Sequence, residues 1–196
     1  MAKDKYKSFE QLRRQTTRGK DYEIIVILSN APVAVIAPHG GTIEFGTSKI
    51  ARAIALDEYN FYCFEGLKQQ PHHELHITSH NFDEQCCLDL ISRCDVVVAI
   101  HGRKDKGDRE TIFMGGLDTE LQNAVSVQLK EAGFSTQIKG HRFPAIHPMN
   151  ICNRGRRKMG AQLELPRSLR DILCDEKIKL SNFASAVRNA IQERSR

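Results

Sequence analysis

Short apolar runs and longer stretches with helical periodicity alternate along this chain. Runs rich in β-branched residues predict strands at residues 23–28, 33–37, 60–64, 75–78, 95–100, 111–114, 136–139 and 161–165. Apolar positions at helical spacing predict helices at 48–56, 83–93 and 118–132, with shorter helices near Ser8, after Pro166 and from Ser181. This alternation predicts an α/β fold with a mixed, mostly parallel sheet flanked by helices.

Residues at the ends of these elements refine the picture. The turn residues 29–32 separate the first two strands and predict a hairpin, and Thr47 is a suitable N-cap for the helix that follows it. Gly133 is a suitable C-terminal end for the helix at 118–132. Residues 95–100 are apolar on both faces, which is typical of a central strand. The long loop at 140–160 has little regular periodicity, and loops of this length are usually functional.

Length and composition narrow the class of protein. A chain of 196 residues with 40% hydrophobic and 27% charged residues predicts one domain over 1–196, with residues 1–20 as a lead-in. No run is apolar enough for a membrane span, and the first twenty residues lack the apolar core of a secretory signal, so we expect a cytoplasmic protein with no membrane partner. The six cysteines show no metal or disulfide spacing and are interpreted as packing residues.

The basic residues are concentrated in one window. Residues 151–170 hold six cations, Arg154, Arg156, Arg157, Lys158, Arg167 and Arg170, and a single acid, Glu164. A general nucleic-acid binder would more often spread its cations along a face, so this window indicates a local site for an anionic group. A solvated basic loop is the alternative.

Two histidines follow predicted strands, and each is followed by glycine. His39 and His101 stand where ligands bind in open α/β sheets, beyond the carboxyl ends of the strands. Glu44 follows His39 across a Gly-rich loop that can fold back to the same point. The set of His39, Glu44 and His101 matches a catalytic zinc with three protein ligands and one open position. The alternative for Glu44 is a cap on the helix that follows.

Two other segments offer weaker metal or phosphate sites. Residues 71–76 are rich in histidine, but His73 and His76 lack one residue of the spacing found in helical zinc proteases, and the segment is predicted to open a strand. The Gly-rich loop after His39 has neither of the two common phosphate-binding patterns. Both are kept as alternatives to the His39, Glu44 and His101 site.

The last predicted strand supplies a candidate base. Strand alternation places Gln162 and Glu164 on one face, opposite Leu163 and Leu165. A carboxylate that faces a metal cleft can act as a general base on water. The alternative is that Glu164 pairs with a neighbouring arginine.

Several short motifs, taken in order, resemble the poly-γ-glutamate hydrolase family, zinc enzymes of phages and prophage-derived elements of bacilli. They are Ala-Pro-His-Gly-Gly-Thr-Ile-Glu at 37–44, Phe-Glu-Gly at 64–66, Leu-His-Ile-Thr-Ser at 75–79, Phe-Asp-Glu at 82–84, His-Gly at 101–102, Gly-Gly-Leu-Asp at 115–118, Asn-Ile-Cys-Asn-Arg at 150–154 and Gln-Leu-Glu-Leu at 162–165. The chain departs from the family at Thr42 and at His80-Asn81, which leaves no role assigned to His80.

The resemblance implies a fold similar to the zinc carboxypeptidases and one zinc ion held by His39, Glu44 and His101. It also implies Glu164 as the carboxylate that acts on the attacking water. We expect Asn153, Arg154, Gln162 and Arg167 to bind substrate, with Arg154 also stabilising the oxyanion. The implied reaction is hydrolysis of γ-glutamyl amide bonds in an anionic polyglutamate polymer. The absence of a secretory signal in the first twenty residues fits release on host lysis.

Two other functions remain open at this point. A zinc amidase acting on other γ-glutamyl or cell-wall peptides needs the same metal site. A nucleic-acid-binding replication accessory protein is suggested by the pI near 8.9 and by a label that some family members carry, but the absence of Trp and the confinement of the charge excess to one window disfavour it.

Overall fold

The computed structural model describes residues 4–68 and 72–194, and of His72 and His73 the backbone alone. Within these residues the strands are β1 Tyr22–Ile27, β2 Val33–Gly41, β3 Asn60–Gly66, β4 Val96–Arg103, β5 Ile112–Gly116, β6 Thr136–Gln137 and β7 Ala161–Pro166. The helices are α1 Phe9–Arg13, α2 Thr47–Ala55, α3 Gln85–Ile91, α4 Thr119–Glu131, α5 Arg167–Asp175 and α6 Lys177–Arg194. Two short 3-10 helices span His72–Leu75 and Ile151–Arg154.

The strands form a seven-stranded sheet in the order β1-β3-β2-β4-β7-β5-β6. The four inner strands β3, β2, β4 and β7 run parallel to one another, while β1 and β5 join them in antiparallel pairing and β6 pairs parallel with β5. The predicted mixed, mostly parallel sheet is therefore confirmed, and β4 lies at its centre as expected. The carboxyl ends of β2, β4 and β7 lie side by side at one edge, where α/β proteins bind their ligands.

The predicted hairpin at the start of the sheet is wrong. β1 pairs with β3, with Ile24 opposite Phe64, and β2 lies on the other side of β3. The physical reason is burial: the first eight residues of β2 are buried, so this strand needs a neighbour on each side, whereas β1 is partly exposed and suits an edge. A local turn signal cannot show that a later strand is inserted between two earlier ones.

Two other predictions are wrong at the local level. Thr47 is the first residue of α2 rather than its cap, because Gly46 with φ of 90° takes the N-cap position. Residues 76–78 are not a strand, although Leu75 and Ile77 are both buried and imitate strand alternation. The backbone N–H of Thr78 donates to the Asp4 side chain instead of to a neighbouring strand.

Helices cover both faces of the sheet. On one face the alternate residues Val33, Val35 and Ala37 of β2 pack with α2, α4, α5 and α6. On the other face Ala34 and Ile36 pack with α1, α3 and the 3-10 helix Ile151–Arg154. This arrangement leaves the carboxyl edge of the sheet open. None of the helices in residues 4–68 and 72–194 has the length and apolarity that crossing a membrane requires.

Candidate metal centre and active-site cleft

The two strand-end histidines and Glu44 meet at the carboxyl edge of the sheet. His39 lies near the end of β2 and His101 near the end of β4, and their Nδ1 atoms are 3.1 Å apart. Glu44 Oε2 lies 3.4 Å from His39 Nδ1 and 3.7 Å from His101 Nδ1. One ligand atom from each of the three residues lies within 4.8 Å of the others, so the group is compact enough to hold one metal ion. The structure thus brings these three predicted residues together.

Surrounding groups fix the orientation of these side chains. His39 Nε2 lies 2.7 Å from the carbonyl oxygen of Ile77, to which it can donate a hydrogen bond, and this leaves Nδ1 as an acceptor facing the centre. His101 Nε2 is 3.5 Å from the hydroxyl of Ser79. Glu44 Oε2 accepts a hydrogen bond of 2.8 Å from the backbone N–H of Gly102. Metal-binding histidines in proteins are commonly oriented by a partner on the second ring nitrogen, as His39 is here.

The loop between β2 and α2 folds Glu44 back onto His39. The Glu44 N–H donates to the His39 carbonyl at 3.0 Å, and the hydroxyl of Thr47 donates to the Glu44 carbonyl at 2.8 Å. The side chain of Glu44 therefore points to the histidines instead of capping α2, which was the alternative interpretation. Gly41, with φ of 62° and its α-carbon against the backbone of Gly66, allows the sharp turn that starts this loop.

Glu164 lines the same cleft as Glu44. It is on β7, directly opposite His101 on β4, and its side chain is largely buried. Gln162, two residues earlier on the same face, donates to Glu164 Oε1 at 3.2 Å and accepts from Asn150 at 3.2 Å. The predicted shared face of Gln162 and Glu164 is thus observed, and the amide of Gln162 orients the carboxylate.

The electrostatics of the two carboxylates fit a dication. Burial alone would raise the pKa of Glu44, but the neighbouring imidazoles of His39 and His101 hold it well below its usual value. Burial, and next the negative charge of Glu44, raise the pKa of Glu164 to about 8. Two carboxylates that repel one another beside two imidazole acceptors form a donor set in which a doubly charged ion relieves the repulsion. The residues present therefore fit zinc.

An open cleft of about 1400 Å³ surrounds this centre. The N-terminal segment, the loops that follow β2 and β4, the long 140–160 loop and α5 all contribute to its walls. Its charged lining is mostly basic: Lys7, Arg103, Lys104, Lys106, Arg142, Arg167 and Arg170, against Asp4, Glu44 and Glu164. The cleft is therefore suited to an anionic ligand, and its cations come from several segments of the chain.

The predicted basic window is divided by the fold. Arg167 and Arg170 reach the cleft as part of α5. Arg156 forms an ion pair with Asp95, and Arg157 lies 3.8 Å from Asp118. The expectation of one local anion site in residues 151–170 is thus wrong for the first part of the window, because Arg156 and Arg157 pair with acids outside the cleft and Lys158 lines a separate cavity.

Asn153 and Arg154 do not line the cleft, contrary to expectation. All the hydrogen-bonding groups of the Asn153 side chain bind backbone, since Oδ1 accepts from Leu117 at 3.0 Å and Nδ2 donates to Ala145 and His147. Arg154 donates to the Phe82 carbonyl at 3.1 Å and lines a separate cavity. Asn153 therefore anchors the 140–160 loop, and the position of Arg154 gives no support to an oxyanion role.

Sequence reasoning missed other residues of the cleft. His76 belongs to the histidine-rich segment that was predicted to be a weaker metal site, and the structure places its ring against His39 with centroids 4.1 Å apart. Pro71 and the side chains of His72 and His73, which completed that segment, lie outside the described residues. Arg103, two residues after His101, could have been found from its position, whereas no sequence pattern pointed to Asp4.

Comparison with known proteins assigns the chain to a family. A model of the poly-gamma-glutamate hydrolase family matches residues 6–191. The chain belongs to this family. SPbeta prophage-derived UPF0714 protein YoqZ of Bacillus subtilis (strain 168) is 36% identical over 194 residues, which cover 98% of this chain and 67% of YoqZ. UPF0714 protein YndL of the same strain is 34% identical over 174 residues, covering 88% of this chain and 68% of YndL.

Solved structures of poly-gamma-glutamate hydrolase relatives have the same fold. A bacteriophage poly-gamma-glutamate hydrolase superposes with a TM-score of 0.93 at 30% identity, covering 98% of this chain and 99% of the other. A zinc-free apo form of YndL superposes with a TM-score of 0.89 at 29% identity, covering 97% and 98% of the two chains. A carboxypeptidase-like structure from Burkholderia mallei ATCC 23344, with a TM-score of 0.50 at 15% identity, shares the fold. The predicted family and fold class are thus confirmed.

Proposed function

We propose that this chain is a zinc-dependent hydrolase that cleaves γ-glutamyl amide bonds of poly-γ-glutamate and works as a single hydrolase domain. The observation that carries the proposal is the convergence of His39, Glu44 and His101 opposite Glu164, inside a cleft whose lining is mostly basic. Family membership supports the hydrolase activity and the class of substrate.

His39, Glu44 and His101 would hold the zinc ion. The existence of a zinc-free form of the relative YndL supports zinc as the metal. Zinc with three protein ligands acts as a Lewis acid toward a carbonyl and lowers the pKa of water. The ligands contribute fixed orientation, since Ile77 and Gly102 hold His39 and Glu44 in place before any metal binds.

Glu164 would move the proton. Its carboxylate takes a proton from the attacking water as the new C–O bond forms, and then delivers it to the nitrogen of the leaving amine as the amide C–N bond breaks. Burial and the negative charge of Glu44 raise the pKa of Glu164 to about 8 in the absence of metal. A bound dication would lower this pKa, so that Glu164 is ionised and can accept the proton. Gln162 keeps Oε1 oriented during both transfers.

The cleft cations would bind the carboxylates that poly-γ-glutamate carries along its chain. Lys104, Lys106 and Arg142 are exposed and line the cleft, and Arg167 packs its guanidinium on the ring of Phe45. Such cations attract a polyanion and lower KM more than they change the chemical step. This function is assigned to them instead of to Arg154.

The test combines metal analysis with polymer length. Purified protein is analysed for zinc, and poly-γ-glutamate is incubated with the zinc-loaded and the chelator-treated protein while viscosity and product size are followed. We expect about one zinc per chain, as three-ligand catalytic sites hold, and chelator-sensitive shortening of the polymer. Zinc without shortening would contradict the substrate and favour an amidase of other γ-glutamyl peptides. No zinc and no shortening would contradict the proposal as a whole.

A further inference from the structure

Asp4, at the start of the described residues, reaches into the cleft and binds a histidine there. Asp4 Oδ1 lies 2.7 Å from His76 Nδ1, and Oδ2 accepts from the N–H of Thr78 at 2.7 Å and from its hydroxyl at 2.6 Å. Burial opposes ionisation of Asp4, but the hydrogen bonds from His76 and Thr78 outweigh it and lower the pKa. An ionised carboxylate can only accept, so the Nδ1 atom of His76 carries a hydrogen.

This contact determines which atom of His76 faces the cleft. With Nδ1 held by Asp4, the other nitrogen, Nε2, lies 4.0 Å from Glu44 Oε1, which is too long for a hydrogen bond. Within the described part of the chain Nε2 forms no hydrogen bond, and the side chain is 27% exposed at the cleft wall. Nε2 is therefore available to a ligand in the cleft.

The ring itself is held in place beside the metal centre. It lies against the ring of His39, with centroids 4.1 Å apart and planes inclined at 32°. Glu44 turns Oε2 toward His39, His101 and the Gly102 N–H, and turns Oε1 toward His76. The Nε2 atom of His76 therefore borders the place where a substrate amide bond beside the metal centre would lie.

We propose that His76 is a catalytic residue whose Nε2 hydrogen-bonds the substrate amide beside the metal centre, and that Asp4 is the positioning residue that holds its ring. The inference rests on the proposed function above. Asp4 prevents rotation of the imidazole, so the hydrogen-bonding atom is in place before substrate arrives, which is the advantage of preorganisation. The family match begins at residue 6, so Asp4 lies just outside the matched region.

The N-terminal segment has other anchors, which provide a matched control. The backbone N–H of Phe9 donates to Asp83, and Lys5 pairs with Glu74 at 3.0 Å. Asp83→Asn removes one negative charge and loosens the same segment as Asp4→Asn does, but Asp83 makes no contact with His76 in the described residues. A difference between the two variants therefore reports the Asp4–His76 contact and not the anchoring of the segment.

The experiment compares Asp4→Asn, Asp4→Glu, His76→Gln and Asp83→Asn. With poly-γ-glutamate we expect Asp4→Asn to lower kcat about 10–100-fold, as the loss of an orienting partner does, with KM and zinc affinity changed little. Asp4→Glu, which keeps the carboxylate, restores part of kcat, while His76→Gln is at least as impaired as Asp4→Asn. Nitrogen-15 NMR of the metal-free wild type should show the His76 hydrogen on Nδ1, and Asp4→Asn should move it, because an amide N–H can donate to Nδ1.

Three results would overturn the inference. Equal kcat values for Asp4→Asn and Asp83→Asn would reduce Asp4 to an anchor, and a matching loss of zinc affinity would show that the pair acts through the metal ligands instead of through the substrate. A wild-type protein that binds zinc but leaves the polymer intact would contradict the proposed function. The NMR comparison tests Asp4 separately, and an unchanged His76 tautomer in Asp4→Asn would refute its positioning role.

Discussion

His101 and Glu164 stand opposite one another on β4 and β7, in parallel register. On its other side Glu164 is opposite Phe113 of β5, so the backbone of the candidate base is held by a strand on each side. A candidate metal ligand and a candidate base placed by the same pair of strands keep a fixed separation without help from a loop. This relationship makes the sheet, rather than the long 140–160 loop, the element that sets the geometry of the reaction.

Replacing Glu164 tests the base directly. Glu164→Gln keeps the size of the side chain but cannot accept the proton from water, so we expect kcat to fall about 10²–10⁴-fold, which is the usual contribution of a general base. Zinc content should stay unchanged, because Glu164 is outside the ligand group. Glu65→Gln is the matched control, since Glu65 lies near the end of β3 in the same sheet but does not line the cleft. Normal turnover in Glu164→Gln would show that another group is the base.

The raised pKa of Glu164 predicts a pH-dependent stability for the metal-free protein. Between its usual pKa of 4.5 and about 8, the folded protein keeps a proton on Glu164 that the unfolded chain releases. The free energy of unfolding therefore falls as pH rises through this window. Between pH 6 and pH 8 the loss is about 2 kcal/mol, and it should be absent in Glu164→Gln. Urea unfolding of both chelator-treated proteins at the two pH values measures this loss. An equal change in the free energy of unfolding for the wild type and Glu164→Gln would contradict the assigned pKa.

The cleft cations near β4 offer a test of substrate binding. The side chain of Asp105 accepts hydrogen bonds from the backbone N–H of Ser168 at 3.0 Å and from the Ser168 hydroxyl at 2.6 Å. The Arg103 guanidinium donates to backbone carbonyls of the same loop. Lys104 and Lys106, on either side of Asp105, line the cleft. We expect Lys104→Gln with Lys106→Gln to raise KM for the polymer about 3–10-fold at unchanged kcat, because each exposed charge contact is worth about 0.2–1 kcal/mol.

Arg109 provides the control for this loop. It is exposed, lies 3.8 Å from Asp105 and does not line the cleft, so Arg109→Gln should leave KM unchanged. Raising the salt concentration should reduce kcat/KM more steeply in the wild type than in the double variant, since screening acts on the charges that the variant lacks. Identical salt dependence in the two proteins would remove Lys104 and Lys106 from substrate binding.

The two histidines of the candidate metal centre could be picked out from the sequence because each is marked by a local pattern. His39 and His101 both follow an apolar strand and precede glycine, and the position of parallel strand ends is a general property of α/β sheets. Glu164 was also predictable, since strand alternation places it on the face of Gln162. Such features can be predicted from the sequence because each depends on the residues of a single strand and not on how distant segments pack.

Contacts between distant segments could not be predicted in the same way. The pairing of β1 with β3 depends on which strand is more buried. Arg154 donates to the carbonyl of Phe82, a residue far away in the sequence, and so does not reach the cleft. The count of charges in residues 151–170 showed an excess of basic residues, but it could not show which acids or carbonyls those residues contact in the folded chain. Asp4 illustrates the limit most clearly, because its partners His76 and Thr78 are far along the chain and no periodicity connects them.

Gly102 is the position where a single methyl group should disturb both stability and metal binding. A Cβ there would lie 2.5 Å from the Arg170 Cζ atom, and the buried Arg170 cannot move away without leaving the carbonyls of Leu165, Phe45 and Arg103. We expect Gly102→Ala to lower the free energy of unfolding by about 1–3 kcal/mol, as overpacking does. The Gly102 N–H also donates to Glu44 Oε2, so a shifted backbone should weaken zinc binding as well.

Gly133→Ala separates this specific effect from a general loss of stability. Gly133 has φ of 84° at the end of α4 and open space around its α-carbon, so alanine there costs about 1–2 kcal/mol through the backbone alone. Urea unfolding and competitive zinc titration of both variants provide the comparison. We expect Gly133→Ala to lose stability while keeping the zinc affinity of the wild type, and Gly102→Ala to lose both. If Gly102→Ala bound zinc as tightly as Gly133→Ala, the hydrogen bond from Gly102 to Glu44 would have no part in forming the metal site.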